Sequence, residues 1–483
     1  GMQWLHMSFL SLSWLGAQGR ALWSSRFLAG DEESQGFAHR DELSRRYGEA
    51  RAGEPGEEPC CSSPEASEEL QAEGEHEGSP EATCPKITTW EAGWNVTNAI
   101  QGIFVLGLPY ALLQSGYLGF LLLVLAAVIC SYTGKILIAC LYEEDESGRM
   151  VRVRDTYEDI ANACCRHLCP HLGGRLVHAA QVVELMMTCT LYLVVSSNLM
   201  CHSFPFLLLP PAVWSVVTFL SLVPCMLIRD LRVVSRLSLL CSLAQFLITF
   251  ITIGFCLRQA HRWSWRRMAL WVDFEKFLVS VGVIIFSYTS QIFLPTLEGS
   301  MEERGDFPDM LTWTHALACV LKTLFSVLAF LTWGEETKEV ITDNLPEGLR
   351  LAVNLCLLAK AILSYPLPFY AASEVLQGCM LKQENGVALE RAILALRGGL
   401  LLLTFLMAMY MPHFSLLMGL TGSITGAAMT FLLPSLFHLQ LKWTTLDVRL
   451  KAINFLILVL GLLCSLSGVI CSIKGMFGAF ESR

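Results

Sequence analysis

From residue 86 onward the chain is a succession of eleven apolar runs, at 88–114, 117–142, 173–203, 211–229, 232–258, 276–300, 308–333, 347–377, 389–411, 412–438 and 446–472. A helix needs about 20 residues to cross the hydrocarbon of a bilayer, and a backbone in lipid must satisfy its own hydrogen bonds, so runs of this length admit helices and little else. The sequence therefore predicts an all-α polytopic membrane protein of about eleven transmembrane helices, with the lipid bilayer as its surroundings. The 53% hydrophobic content and the mean hydropathy of +0.50 agree.

Residues 1–85 are of another kind. Positions 31–85 carry 16 Asp/Glu against 4 Arg/Lys, spaced by Gly, Pro and Ser with few large apolar side chains. Such a segment cannot bury enough surface to offset the entropy of ordering, so a disordered acidic tail is expected over 1–85, ahead of a transmembrane domain over 86–483. The chain's net charge of −9 belongs to this tail and carries no implication of nucleic acid as a partner. Residues 1–30 hold Trp4, Phe9 and Trp14 but are interrupted by polar residues and lack a basic start, so they do not read as a signal peptide.

An odd number of crossings puts the two ends of the chain on opposite faces. Arg149, Arg152, Arg154 and Arg166, then Arg229, Arg232 and Arg236, then Lys442, Arg449 and Lys451 all fall on the tail's side. Basic loops favour the cytosol, so the tail is expected there and the C-terminus on the far side; Arg258, Arg262, Arg266 and Arg267 run against the rule. Most of the 18 cysteines lie inside apolar runs and read as small packing residues. The cluster from Cys164 to His171 has ligand types that suit zinc, but its spacing matches no familiar site, so no metal is assigned.

Two of the eleven runs are interrupted. The first, from Asn95 to Ala111, carries Asn98, Gln101, Gly102, Gly107 and Pro109, residues that weaken or end a helix. The sixth passes from Ile285 into Phe286-Ser-Tyr-Thr-Ser-Gln291 and then Pro295. Five spans separate the two breaks, which suggests inverted repeats over about 88–258 and 276–438 with an extra helix at 446–472. Interrupted spans at matching places in two halves point to a transport site, whereas kinked helices packing on Gly and Ser are the plainer alternative. Asn98, Gln101 and Gly102 on one break and Ser287, Tyr288 and Thr289 on the other are the candidate substrate-binding residues.

Ionisable side chains deep in the spans are costly and therefore informative. Glu184, Lys322 and Lys360 qualify. Glu184 is a candidate for holding a substrate amine or carrying a coupled proton, and Lys360 for a fixed positive charge, with a structural Glu–Lys pair as the alternative. His178, His315 and His413 are read as structural, although each is chemically able to relay protons. Pro366 and Pro368 are expected to kink the eighth run. Gly419, Gly422 and Gly426 in the tenth read as a helix-packing face. No Walker loop, His-Glu-x-x-His or Gly-x-Ser-x-Gly occurs, so nothing points to an enzyme or an ATP-driven pump, and no cofactor is implied.

Four strings carry a resemblance: Trp90-Glu-Ala-Gly-Trp-Asn-Val-Thr-Asn-Ala-Ile-Gln-Gly102, Val105-Leu-Gly-Leu-Pro-Tyr-Ala111, Phe286-Ser-Tyr-Thr-Ser-Gln-Ile-Phe-Leu-Pro295 and Glu336-Thr-Lys-Glu-Val-Ile-Thr-Asp-Asn-Leu-Pro346. They resemble the amino acid/auxin permease family, and the likeness covers residue 86 to the end. The resemblance implies a LeuT-like five-plus-five inverted repeat with broken first and sixth helices. It further implies loading of GABA and glycine into synaptic vesicles, driven by the proton gradient and potential, with protons and chloride as accompanying ions and sorting adaptors as partners of the tail. A proton- or sodium-coupled neutral amino acid permease and an amino acid sensor of the same fold stay open as alternatives. The expected motion is a rocking of the first, second, sixth and seventh runs against the rest.

Overall fold

The structure is a computed structural model, and it describes residues 88–166, 171–224, 231–267, 272–380, 387–411 and 413–481. The acidic tail and residues 167–170 of the Cys/His cluster lie outside these residues. Among the described residues, seven helical stretches are long and apolar enough to span a bilayer, and Pro211–Leu222 and Leu243–Arg258 are shorter apolar helices. The sixth run is absent from both groups as an unbroken span, because its helix is cut in two.

The first run opens with α1, Thr89–Ile100. Thr88 and Glu91 form a reciprocal capping box that satisfies the first amides. The helix stops where Gln101 leaves helical geometry and Gly102 turns extended (ψ −176°); a 3-10 turn, Ile103–Gly107, follows. Helix resumes as α2, Leu108–Ala139, with Pro109 in its first turn. Pro109 was expected to help break the helix, but it stands where a missing amide costs nothing and serves to restart it. At about 1.5 Å per residue α2 would be too long for one crossing, and Gly116 (φ +61°) divides it into the end of the first run and the whole of the second.

Between the second and third runs a hairpin departs from the all-helical expectation. β1 (Tyr142–Glu144) pairs antiparallel with β2 (Met150–Arg152), and Gly148 (φ +74°) supplies the left-handed position of the turn. α3 (Tyr157–Cys165) follows, and the buried Cys164 thiol is pushed up to about 12 by desolvation first and by neighbouring Cys165 second. The chain then crosses as α4 (Leu172–Ser203), α5 (Pro211–Leu222) and α6 (Leu231–Arg258).

The sixth run consists of α7 (Phe274–Ser287) and α8 (Leu294–Gly299), separated by residues 288–293, and Pro295 sits in the first turn of α8 as Pro109 does in α2. Then come α9 (Phe307–Trp333), α10 (Glu347–Ser364), α11 (Pro366–Met380) and α12 (Val387–Tyr410). Pro366 again opens a helix, and Tyr365 at the handover hydrogen-bonds Thr404 on α12 at 2.8 Å. The tenth run is α13 (Phe414–Thr421), two π-helical turns over 422–432, and α14 (Leu433–Leu441). α15 (Val448–Glu481) lies at the rim with Phe455, Leu463, Leu466 and Ile470 facing outward, as a lipid-exposed helix requires.

Two packings position the breaks. α9 runs along α2, with Leu311 against Gly134 near one end, where Leu294 of α8 joins it, and Leu112 in a cluster with Val327, Phe330 and Leu331 near the other. α7 meets the tenth run backbone to backbone. A Cβ on Gly422 would lie 1.8 Å from the Gly282 carbonyl oxygen, and one on Gly282 2.2 Å from that of Gly419. The expected packing face is thus real, and it needs glycine because no side chain fits between the two helices.

Candidate functional site

The first break is pinned to α9 by Gln101, whose Nε2 donates to the Ala318 carbonyl at 3.2 Å. One turn earlier, Asn98 Oδ1 is buried with no hydrogen-bond partner. Gly102 caps the 3-10 turn without a side-chain bond. Just beyond it Phe104 packs against Tyr192 of α4, Phe286 of α7 and Phe414 of α13, at ring-centroid distances of 5.0, 5.3 and 6.3 Å. The break is therefore walled by aromatic rings from three other spans.

At the second break the expected residues divide in role. Ser287 Oγ donates back to Ile284 O at 2.7 Å, and Thr289 Oγ1 to Ile285 O at 3.2 Å, so both hydroxyls satisfy their own helix end. Tyr288 has a buried hydroxyl with no hydrogen bond beyond a weak contact with the Cys319 thiol, and Ser290 Oγ is buried without a partner. Gln291, fully buried, is committed throughout: Nε2 donates to Cys130 O and Thr133 Oγ1 at 3.2 Å, and Oε1 accepts from Ser290 N at 3.1 Å and Thr430 Oγ1 at 3.3 Å. That amide ties the break to α2 and to the π-helical part of the tenth run.

The charged group at this break is one to which sequence reasoning gave no role. Lys322 of α9 is fully buried, its Nζ donates to the Ser287 carbonyl, and it stands 3.8 Å from the centroid of the Tyr288 ring. His315, two turns earlier, stacks on Tyr288 with centroids 6.5 Å apart; its Nδ1 lies 3.0 Å from Leu311 O and its Nε2 has no partner. Lys322 lies 15 residues into α9, about 22 Å, which is mid-bilayer depth and the one signal that matched it to the break. Which way it faced was not readable from a run lacking a clear amphipathic period.

Glu184 and Lys360, the expected coupling residues, are buried on α4 and α10. Glu184 Oε2 has no hydrogen-bond partner, and among the described residues no ion pair joins it to a lysine. Tyr157 of α3 lies within electrostatic reach: its phenol is raised well above the ordinary range by burial first and by Glu184 next. Of the histidines, His178 pairs with Glu158 at 2.8 Å and His413 stands 3.9 Å from Glu339.

Both faces are pinned around the breaks. On one face the hairpin holds α8: Tyr142 Oη donates to the buried Glu298, Arg152 Nε stands 3.2 Å from the same carboxylate, and Arg152 also donates to Pro295 O at 3.0 Å. Burial first, and then the bond to Glu298, push the Tyr142 phenol up to about 12. On the far side the loop of residues 334–346 lays Asp343 against His202 of α4 at 2.9 Å and Asn354 of α10 at 3.0 Å, while Glu339 accepts from Ser415 N at the start of α13.

A family model described as "Transmembrane amino acid transporter protein" matches residues 85–474. The chain belongs to that family. Within it, the chain is 51% identical over 473 residues to the vesicular inhibitory amino acid transporter of Mus musculus, covering 90% of this chain and 89% of the mouse protein. It is 38% identical over 402 residues to the vesicular GABA transporter of Caenorhabditis elegans, covering 81% and 80%. A crystal structure of a mutant Eremococcus coleocola manganese transporter superposes with a TM-score of 0.50 at 13% identity, over 83% of this chain and 90% of that one. This last likeness concerns the fold alone. Membership makes the chain a transporter rather than an enzyme.

Proposed function

We propose that the protein loads GABA and glycine from the cytosol into synaptic vesicles in exchange for lumenal protons. The observation that carries the chemistry is the group of buried polar atoms left without a full hydrogen bond, Asn98 Oδ1, Tyr288 Oη, Ser290 Oγ and His315 Nε2, all on elements that form or flank the two breaks. Unsatisfied polar atoms in a membrane interior are costly unless a solute completes them. The identity with vesicular inhibitory amino acid carriers supports the choice of solute.

On this reading the substrate carboxylate lies at the first break, near Asn98, Gln101 and Gly102, with Ser287, Tyr288 and Thr289 forming the facing wall. GABA and glycine share a carboxylate and an amine at different separations, so the carboxylate is gripped and the amine held loosely. Glu184 carries the exchanged proton and Lys360 supplies fixed positive charge. The tail and the hairpin face the cytosol, and the loop of residues 334–346 faces the lumen.

Purified protein in proteoliposomes tests the proposal, with pH and potential clamped separately and radiolabelled GABA or glycine outside. Uptake is expected to require an acidic interior and to be indifferent to replacement of sodium. Uptake that follows a sodium gradient would assign the protein to the sodium-coupled permeases instead, and saturable binding without counterflow would make it a sensor. Replacing chloride in the same vesicles reports whether that ion accompanies the substrate.

A further inference from the structure

We propose that Lys322, which stands at the second break, is the counter-charge to the substrate carboxylate held at the first, and that it sets the preference for carboxylates. The inference rests on the amino acid reading above and adds a residue and a chemical group to it. An ammonium ion in a membrane interior needs an anion, and among the described residues no carboxylate pairs with Lys322. What surrounds it is an incomplete shell: the Ser287 carbonyl, the face of the Tyr288 ring, and the side chains of Cys130 and Cys319.

Carbonyl and ring are the partial neutralisation that a cation accepts when no anion is present. They do not complete three N–H donors. The polar atoms left open nearby, Tyr288 Oη and His315 Nε2, stand on the two elements that hold the ammonium. The first break is also within reach of the same helix, since Gln101 is bonded to Ala318, one turn before Lys322. A carboxylate placed between the two breaks therefore meets on α9 an amine that the fold has already stripped of water, and the carboxylate supplies the anion that favours its charged form. The cost of stripping water from the amine is borne by the fold rather than by binding, which is the condition under which a buried charge pair discriminates strongly.

The test compares GABA with its carboxamide, 4-aminobutanamide, by ligand-induced rise in melting temperature of the purified full chain, so that no transport is required. Wild type is expected to prefer GABA by about 30-fold or more in the concentration needed for half-maximal stabilisation, and Lys322→Arg to keep most of that preference. Lys322→Met is expected to melt no lower than wild type without ligand and to lose the preference. A Lys322→Met protein that still favours GABA as wild type does would overturn the proposal; so would one that merely melts lower while preference is kept, the mark of a purely structural lysine. If Lys322→Met does not fold, Lys322→His takes its place, with a preference for GABA expected at pH 5.5 and absent at pH 8; a preference equal at both would be fatal to the idea. Wild type that answers to neither compound would instead bring down the amino acid reading itself.

Discussion

At the scale of single residues, stability and function pull in opposite directions at the breaks. Tyr288 buries a hydroxyl with no hydrogen bond beyond a weak contact with the Cys319 thiol, while its ring carries the Lys322 amine. Tyr288→Phe removes the one and keeps the other. It is expected to stabilise the empty protein by about 1 kcal/mol and to weaken GABA uptake by about tenfold, read from a thermal melt and a transport assay on the same preparation. Glu184→Gln keeps the shape of a side chain that, among the described residues, has no ion pair to lose, so it is expected to fold normally and to abolish the pH-driven part of uptake. Full gradient-dependent uptake by that variant would show that the proton travels elsewhere. Lys322 marks the limit of what single residues disclose. Its depth was visible in the sequence, but its partners lie on α7, 35 residues away, and only the rotation of α9 about its own axis brings them together.

At the scale of elements, the eleven apolar runs were legible because a bilayer fixes both the length and the polarity of whatever crosses it. The positions of both breaks were legible too, through Gly102 and the run of hydroxyls from Ser287 to Ser290. Their local cause was less so. Pro109, Pro295 and Pro366 each look like breakers in the sequence and each stand in the first turn of a renewed helix. The hairpin escaped notice because Tyr142-Glu-Glu and Met-Val-Arg152 are too short and too charged to alternate; it is held by what it grips. Removing that grip has a measurable cost. Glu298→Gln should lose the ion pair with Arg152 while keeping an acceptor for Tyr142, lowering stability by about 1.5–3 kcal/mol in a denaturation experiment. Gly422→Ala forces a methyl group into the Gly282 carbonyl, and a loss of about 1–3 kcal/mol with reduced yield of folded protein is expected.

At the scale of the whole molecule, the orientation has a direct readout. A reactive cysteine placed at Glu146, in the hairpin turn, is expected to be labelled from outside intact synaptic-type vesicles, and one at Glu335 only after they are opened. The reverse pattern would invert the proposed direction of transport. The glycine joint between α7 and the tenth run has a mechanical consequence for any such cycle. Two rods pressed together along their bare axes, with no compressible filling, flex as a single stiffer beam. A rocking of the first, second, sixth and seventh runs would therefore have to carry the tenth run with it or slide α7 along this joint. Any bending of the sixth span then falls to residues 288–293, where the helix is interrupted, and two of these, Tyr288 and Thr289, are proposed substrate contacts.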